Sequence, residues 1–588
     1  MITYPIDLIP FSRCGSFLTI SPRNSSGSSR LIYKTSSSRN CYTHNPPFLS
    51  EEFFELALIK REHEIPYTWQ AYPHKLELLG EGGETLTFVF VNENILLFRA
   101  ENTCLKLIPC KVFSVQNSPG VNQICIIDWF ARGIHMFRTD NHTYLVSTIS
   151  STAAGLEKYR GEFPYAITFQ PKDDTSTIRG EISFSRYETF WEKSFPDFDT
   201  ILSIREEEYT RWMRKLPGIP KTYQKTAELA WFILWNCQVP PEGVLSHMAI
   251  YMSKNWMNGI WAWDNLFNAL AIAKAKPQLA WEQLLLFFNY QDPNGMIPDM
   301  ITDLESLYGF TKPPIYGWAI RKLVDELGLK KSLPYLNKIY KPLEKLTNWW
   351  YTFRDYDQDG LPQYNHGNDS GWDNATIFDQ GYPVEGADLA AYLVLQCECL
   401  AFICEVTGRK KAAIQWKAKA EEQLADLLTH SVNVDHFFSP ISGNHQVETS
   451  QSLINYLPLL LGKRLPKKIR KTLVADLQSG GPFLTPFGLA SESPLSSKYL
   501  PDGYWRGPIW APSSYLIFDG LIKAGEIELA RLIAERFCNL CLREPGFWEN
   551  YDALTGKGLR CPGYSWTASV FLLFAEWLKI NAVKEKTS

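Results

Sequence analysis

The chain has 588 residues, 45% apolar and 21% charged, with a net charge of −4. That length exceeds what one ordinary core supports, so two domains are expected, or one large toroid with an appended module. The near-neutral balance and the lack of a long basic stripe argue against a nucleic-acid partner. No run of 18 apolar residues occurs, so nothing is expected to span a membrane. The first residues, Met1 to Asp7, show no basic region followed by an apolar stretch, so no secretory signal is expected. Twelve scattered cysteines without a CxxC spacing read as reduced, mostly buried thiols of a cytoplasmic protein.

Up to about residue 195 the texture is that of short strands. Glu84 to Val91, Ile134 to Arg138, Thr143 to Ser147 and Ile178 to Phe184 mix β-branched and aromatic residues, and turn clusters at 117–120, 140–142 and 172–174 separate them. Many short strands predict a β-sandwich over 1–195. The Ser-rich stretch 25–38 reads as a mobile loop or a long hairpin turn. After a linker at 196–220, apolar periodicity predicts helices near 223–235, 264–275, 279–290, 314–326, 334–352, 384–407, 409–429, 447–461, 466–476, 511–523, 526–543 and 565–581. Twelve helices over 221–588 suggest a toroid of six inner and six outer helices, an (α/α)6 barrel, with open bundles and helical repeats as alternatives. No repeat of fixed length appears, which disfavours a solenoid. In a toroid, loops at one end of the inner helices converge, and the conspicuous motifs fall at such loops.

Two segments set one acid between an aromatic and an amide: Trp372-Asp373-Asn374 and Trp548-Glu549-Asn550. Two carboxyl groups can flank a glycosidic bond, one protonating the leaving oxygen and the other activating water, while flanking rings stack on the sugar and exclude solvent. Both acids read alternatively as surface loop residues. Asp373 is preferred over Asp369 as proton donor, because Trp372 can desolvate it and hold its proton near neutral pH. In Trp261-Ala262-Trp263-Asp264, Asp264 is either a helix N-cap or an acceptor from sugar hydroxyls above a stacking tryptophan. The segment 292–299 is turn-rich and suits the rim of a pocket. Lys312-Pro313-Pro314 before the next helix is weak evidence alone. In Tyr504-Trp505-Arg506-Gly507-Pro508-Ile509-Trp510, Arg506 is expected to donate its fork to sugar hydroxyls or to a catalytic carboxylate.

No HExxH, zinc-type Cys/His spacing, GxSxG or Walker motif is present, so no metal and no cofactor is expected. Asp355-x-Asp357-x-Asp359-Gly360 resembles the start of a calcium loop. Its twelfth position is His366 in place of an acid, which favours a hydrogen-bonded turn, with calcium held by backbone carbonyls as the minority alternative.

Trp261 to Asp264, Ser370 to Asn374, Tyr504 to Trp510 and Glu549 to Tyr551 stand in the order seen in glycoside hydrolase family 63, and residues 220–580 resemble that family. The family includes processing α-glucosidase I and bacterial mannosylglycerate and glucosylglycerate hydrolases, and is related to the trehalases of family 37. The resemblance implies an (α/α)6 barrel, with an N-terminal β-sandwich in some members, and an inverting mechanism. Asp373 matches the general acid and Glu549 the general base. Trp263, Asp264, Trp505 and Arg506 match positions around the nonreducing sugar. Trp261, Asp369, Trp372, Gly507 and Trp548 complete the expected substrate-binding set. The chain departs at Ala375, where the family often has Ser, and at Asp552-Ala553, where Asn-Pro is commoner after the Tyr.

The expectation is therefore an inverting exo-acting α-glycosidase, foremost an α-glucosidase, acting on a small glycoside or oligosaccharide. Mannosylglycerate, glucosylglycerate or trehalose hydrolysis is the alternative. Inversion leaves room for a water, so the two carboxyl groups should lie about 6.5–9.5 Å apart. A sugar isomerase or epimerase and a noncatalytic carbohydrate-binding protein are the rivals from other classes. The first usually works with histidines, and His366 is the one histidine near a motif. The second would lack one of the two acids. The oligomeric state is left open.

Overall fold

A computed structural model describes residues 2–22, 30–40, 48–110, 125–129, 134–138, 143–148, 152–159, 162–171, 177–185, 196–447 and 449–587. The chain divides into two compact units. One holds the residues up to Lys215 with Trp235–Pro240 and Lys254–Asn258, and the other holds the rest.

The first unit contains two antiparallel sheets. One runs, in spatial order, Leu18–Pro22, Leu31–Asn40, Phe48–Lys60, Cys104–Pro109, Glu162–Pro171 and Thr152–Tyr159, with His63–Ile65 added to the third strand. The other runs Cys125–Trp129, Ile134–Arg138, Thr143–Thr148, Thr177–Ser185, Ile95–Glu101, Thr85–Phe90, Leu76–Gly80 and Tyr67–Ala71. Their buried sides meet at Phe98 and Phe169, whose rings lie edge to face 4.8 Å apart. The Ser-rich stretch corrects the loop expectation in part: Leu31–Asn40 is a strand, because pairing with Leu18–Pro22 and Phe48–Lys60 outweighs its composition. Residues 25–29 and the three turn clusters lie outside the described residues.

Most of the stretch expected as a linker is helix α1 (Phe198–Met213). Asp197 caps it by accepting the Asp199 and Thr200 amides, each at 3.1 Å. Phe198 and Ile201 on its apolar face join Val89, Ile95 and Leu97 in one cluster.

The second unit is helical. It carries α2 (Gln224–Asn236, the last two residues of which belong to the first unit), α3 (Asp264–Ile272), α4 (Pro277–Leu285), α5 (Tyr316–Leu327) and α6 (Leu329–Phe353). Next come α7 (Ala387–Val406), α8 (Lys410–His430), a 3-10 helix (Leu453–Arg464), α9 (Lys467–Asp476), α10 (Ala511–Ala524), α11 (Ile527–Arg543) and α12 (Ser565–Thr587). The stretch expected as a helix at 447–461 is the 3-10 element. Pro458 lies inside it, and Gly462, at φ +55°, breaks it near its end.

Neighbour contacts close a cycle: α3 on α5, α5 on α7, α7 on the 3-10 helix, that helix on α10, α10 on α12, and α12 on α3. Burial separates this ring from its partners. Every residue of α3 is buried, whereas α8 buries Ala413, Ala420, Gln423, Leu424 and Leu427 alone. α7 is long and apolar enough to cross a membrane by length and composition, but most of it is buried inside the protein, as expected of a core helix. Ten of the cysteines are free, and seven of those are buried.

Candidate active site

The long segments before α3, α5, α7, α10 and α12 carry all the motif residues, and they enter the N-terminal ends of ring helices. Unpaired backbone N–H groups there favour nearby negative charge. Hydrogen bonds tie the segments together. The Asn374 amide donates to Gly503 O at 3.0 Å, its Oδ1 accepts the Trp505 N–H at 3.0 Å, and its main-chain oxygen accepts Arg506 Nε at 2.8 Å. On the other side, Ile509 and Tyr551 exchange both backbone hydrogen bonds, at 2.7 and 3.0 Å. The segment 503–510 thus holds the neighbours of both acids, Asp373 through Asn374 and Glu549 through Tyr551.

The two acids sit in unlike surroundings. Asp373 is half-buried, whereas Glu549 is only 3% exposed. Burial pushes the Glu549 carboxyl up to about 7, with Asp373 adding repulsion. The Arg560 guanidinium, the Cys561 amide and a hydrogen bond from Tyr504 act in the opposite direction. Trp372 is fully buried and packs on Trp505, ring centroids 4.5 Å apart. Burial is thus deeper at Glu549 than at Asp373.

Asp264 does not cap its helix. Trp263 holds the N-cap position and makes no side-chain cap, and Asp264 is the first helical residue. Its carboxyl is 3% exposed, and Oδ2 has no hydrogen-bond partner among the described residues. Burial pushes it well above the usual carboxylate range, against Lys312 and with the repulsion of Asp373 and Asp299. Lys312 pairs with Asp299 at 3.1 Å and donates to Asn368 O at 2.7 Å, both side chains being almost fully buried. Asp299, Lys312, Tyr504 and Arg560 were missed as site residues. The segments around the first three were conspicuous, but nothing local marks Arg560.

The tryptophans form one packed wall. Trp505 stacks on Trp510 at 4.0 Å and 6°, and Trp263 packs on Trp505 and Trp566 at 6.1 and 5.8 Å. Gly371 explains the glycine of Ser-Gly-Trp-Asp: at φ +72°, a Cβ there would stand 2.6 Å from the Trp263 ring. Trp261 lies in a short strand, Ile260–Trp261, paired to Met300–Ile301. Trp548 is half-buried against Gly558.

Three residues of the expected binding set bond to the chain itself, and the pairing of Arg506 with a catalytic carboxylate is corrected. Arg506 pairs with Asp379 and Asn374 O, not with Asp373 or Glu549, because its loop turns the guanidinium toward Asp379. Asp369 has both oxygens occupied by the chain itself: Oδ1 accepts the Thr311 amide at 3.0 Å, and Oδ2 accepts Arg354 Nη1 at 2.8 Å and the Asn365 amide at 3.0 Å. These bonds organise the loop. Gly507 is buried and donates its N–H to Ser491 Oγ at 3.1 Å. His366, the one histidine near a motif, is exposed and stacks on Phe310, 4.7 Å between centroids.

Two acids with unlike surroundings, on loops at one end of a helical ring and backed by packed tryptophans, suit the cleavage of glycosidic bonds. The chain belongs to the family of mannosylglycerate hydrolase MGH1-like glycoside hydrolase domains, whose model matches residues 257–567. This bears out the resemblance to glycoside hydrolase family 63. Mannosylglycerate hydrolase of Thermus thermophilus is 24% identical over 393 residues, covering 53% of this chain and 93% of that protein. Glucosylglycerate hydrolase of Mycolicibacterium hassiacum is 21% identical over 414 residues, covering 54% and 91%. A bacterial glucoamylase complexed with acarbose shares the fold over 98% of this chain and 94% of its own, with a TM-score of 0.57 at 13% identity.

Proposed function

We propose that the protein hydrolyses a small α-linked glycosylglycerate, of mannose or glucose, with inversion at the anomeric carbon. In this reading the ring is the inner layer of an (α/α)6 barrel and the two sheets are a β-sandwich. Asp373 protonates the glycosidic oxygen, and Glu549 takes a proton from the water that attacks the opposite face. Asp264 binds hydroxyls of the sugar. The observation that carries the reading is the coupling of half-buried Asp373 to fully buried Glu549, whose pKa near 7 balances base strength against the ionised fraction at neutral pH. The activities of the Thermus and Mycolicibacterium relatives support a glycosylglycerate over the expected general α-glucosidase substrate. Free thiols suit a reducing compartment such as the cytoplasm.

The raised Glu549 also favours a second reading with exchanged roles, since a carboxyl still protonated near neutral pH is the usual acid. The pH profile separates the two. A base at Glu549 produces a loss of rate as pH falls through 7, and an acid produces a loss as pH rises through 7.

The test is a panel of mannosylglycerate, glucosylglycerate, trehalose and maltose, with products followed by proton NMR. We expect a glycosylglycerate to be cleaved, with the β-anomer of the released sugar appearing first. First appearance of the α-anomer would sink inversion. Cleavage of maltose with no turnover of either glycerate would replace this reading by the α-glucosidase.

A further inference from the structure

Where the segment that follows Asp373 meets residues 433–455, the helical unit holds a cavity of about 370 Å³. None of Asp264, Asp373, Tyr504 and Glu549 lines it. Ile377 stands in the 3-10 turn Thr376–Phe378 that follows Ala375, with Gln380 just beyond. Asn433, Phe437 and Phe438 come from the hairpin after α8, and Asn455 from the 3-10 helix Leu453–Arg464. The volume lies at the small end of the range of about 300–1,000 Å³ typical of ligand pockets, which suits one sugar ring and not a longer chain.

The lining specifies the class of ligand. Asn455 is only 6% exposed, and its Oδ1 accepts the Ser439 hydroxyl at 2.8 Å. Its amide nitrogen has no acceptor among the described residues, so two N–H donors are available to a ligand. Gln380, fixed by donating Nε2 to Ser439 O at 2.7 Å, and Asn433 add two more carboxamides, and Ser450 adds a hydroxyl. His436 is committed to Asp476, 2.9 Å from its Nε2, and no other ionisable side chain lines the cavity among the described residues. Carboxamides and a hydroxyl beside the rings of Phe437 and Phe438 match a neutral sugar, which offers hydroxyls to the first and an apolar C–H face to the second. An anion such as glycerate meets no lysine or arginine there among the described residues.

The same cavity touches what holds the acid loop. Ser450 Oγ lies 2.7 Å from Thr376 Oγ1, which also lies 2.8 Å from Oε2 of the fully buried Glu492. Asp379, beside Gln380, pairs with Arg506 and with Lys498 at 3.1 Å. A ligand that takes the Ser450 hydroxyl or shifts Gln380 competes with the bonds that fix this segment, and a small displacement of Asp373 is enough to lower turnover. We propose that the cavity binds one neutral monosaccharide and that its occupant slows the enzyme through the acid loop. The binding follows from the lining alone, whereas the slowing rests on the role proposed for Asp373.

The test titrates mannose, glucose and, as a charged control, glycerate into the full chain by isothermal calorimetry. The catalytic pocket also takes a sugar, so each titration is repeated with Asp264→Asn, which weakens that event. One saturable event for mannose or glucose, and none for glycerate, should survive Asp264→Asn. Val447→Trp, which fills the cavity from an exposed position on its rim, should abolish the event. Asn433→Ala, also exposed, should weaken it about 3- to 10-fold, the worth of one hydrogen bond. Neither variant should change the rate measured without added sugar. On a cleaved glycoside, the added sugar should lower kcat of the unmutated chain, whereas with Val447→Trp it should raise KM alone. Loss of all binding in Asp264→Asn would overturn the site and assign the sugar to the catalytic pocket. An event that survives unchanged in both Val447→Trp and Asn433→Ala would overturn it as well. Binding that leaves kcat unchanged would overturn the coupling to the acid loop. If no glycoside is cleaved, the proposed function fails, and the calorimetric titrations still decide the site.

Discussion

Arg560 lies over the ring of Tyr504, 4.9 Å from its centroid, and both side chains act on the carboxylate of Glu549. Asp502, two residues before Tyr504, pairs with Arg560 from the other side. The cation beside the proposed base therefore comes from the segment after it and is held by the tryptophan loop, not by the arginine within that loop.

This arrangement predicts the pH dependence. Glu549 works as a base only when ionised, so kcat/KM should fall as pH drops through about 7. Arg560→Gln removes a charge that favours the ionised form, and the acid limb should move up by about one pH unit. Tyr504→Phe should move it the same way by less. A profile in which neither variant shifts the limb would separate Glu549 from the observed titration.

Replacing the acids separates catalysis from stability. Asp373→Asn and Glu549→Gln should each lower kcat by about 10²-fold or more, measured on whichever glycoside is cleaved. Glu549 has a folded pKa near 7, above its ordinary value of 4.5, so the folded state holds the proton more tightly and loses stability as pH rises between those values. Glu549→Gln should therefore stabilise the fold at pH 8 by on the order of 2 kcal/mol, read as a higher Tm, and leave the Tm nearly unchanged at pH 4. An unchanged Tm at both would contradict the buried-acid account.

Asn374 is the joint between the Asp373 loop and the tryptophan loop. Asn374→Ala leaves Gly503 O and the Trp505 N–H without their partner, which costs about 1–3 kcal/mol in a part-buried site. Displacing Asp373 should reduce kcat by about 100-fold with a smaller change in KM. A variant that loses stability but keeps kcat would show that the joint does not position the acid.

Gly371→Ala tests the close approach to Trp263. The new Cβ meets the indole at 2.6 Å in a left-handed backbone position, so destabilisation of at least about 1–2 kcal/mol is expected in chemical denaturation. Ser370→Ala removes the hydroxyl that donates to Gly367 O at 2.7 Å and accepts the Trp372 amide at 3.0 Å, without a steric clash.

Asp519 on α10 anchors the ring away from the site. It pairs with Lys322 and with Lys523 at 3.2 Å, and accepts Trp318 Nε1 at 2.9 Å. Burial alone would raise its pKa, but Lys322, Lys523 and the Trp318 hydrogen bond together bring it down to about 2. A depressed carboxyl contributes stability that is complete above its ordinary value of 3.8 and lost as pH falls toward 2. Asp519→Ala leaves Lys322 without its buried partner and should cost about 3–5 kcal/mol at pH 7. A midpoint unchanged from wild type would show that the lysines find other acceptors.

Much of this protein was legible in its residues. Apolar spacing located the ring helices, because a helix face shows every three or four residues whatever surrounds it. The strands Ile134–Arg138 and Thr177–Ser185 showed through their β-branched texture. The two acids and the tryptophans stood out because aromatic, amide and carboxylate side chains were adjacent in the chain. Leu31–Asn40 did not, since a serine run becomes a strand only when neighbours pair with it.

By itself, then, the sequence determined the helical and stranded regions, the family and the candidate pair of acids, all of which rest on residues within a few positions of one another. The tertiary structure alone decided that Arg560 and not Arg506 acts on Glu549, and that Asp369 turns inward to Arg354 and the Thr311 amide. Each of these depends on how loops cross the end of the ring. Coulomb attraction, hydrogen bonding and desolvation act over a few ångströms in space, and no local pattern specifies which distant residue arrives there.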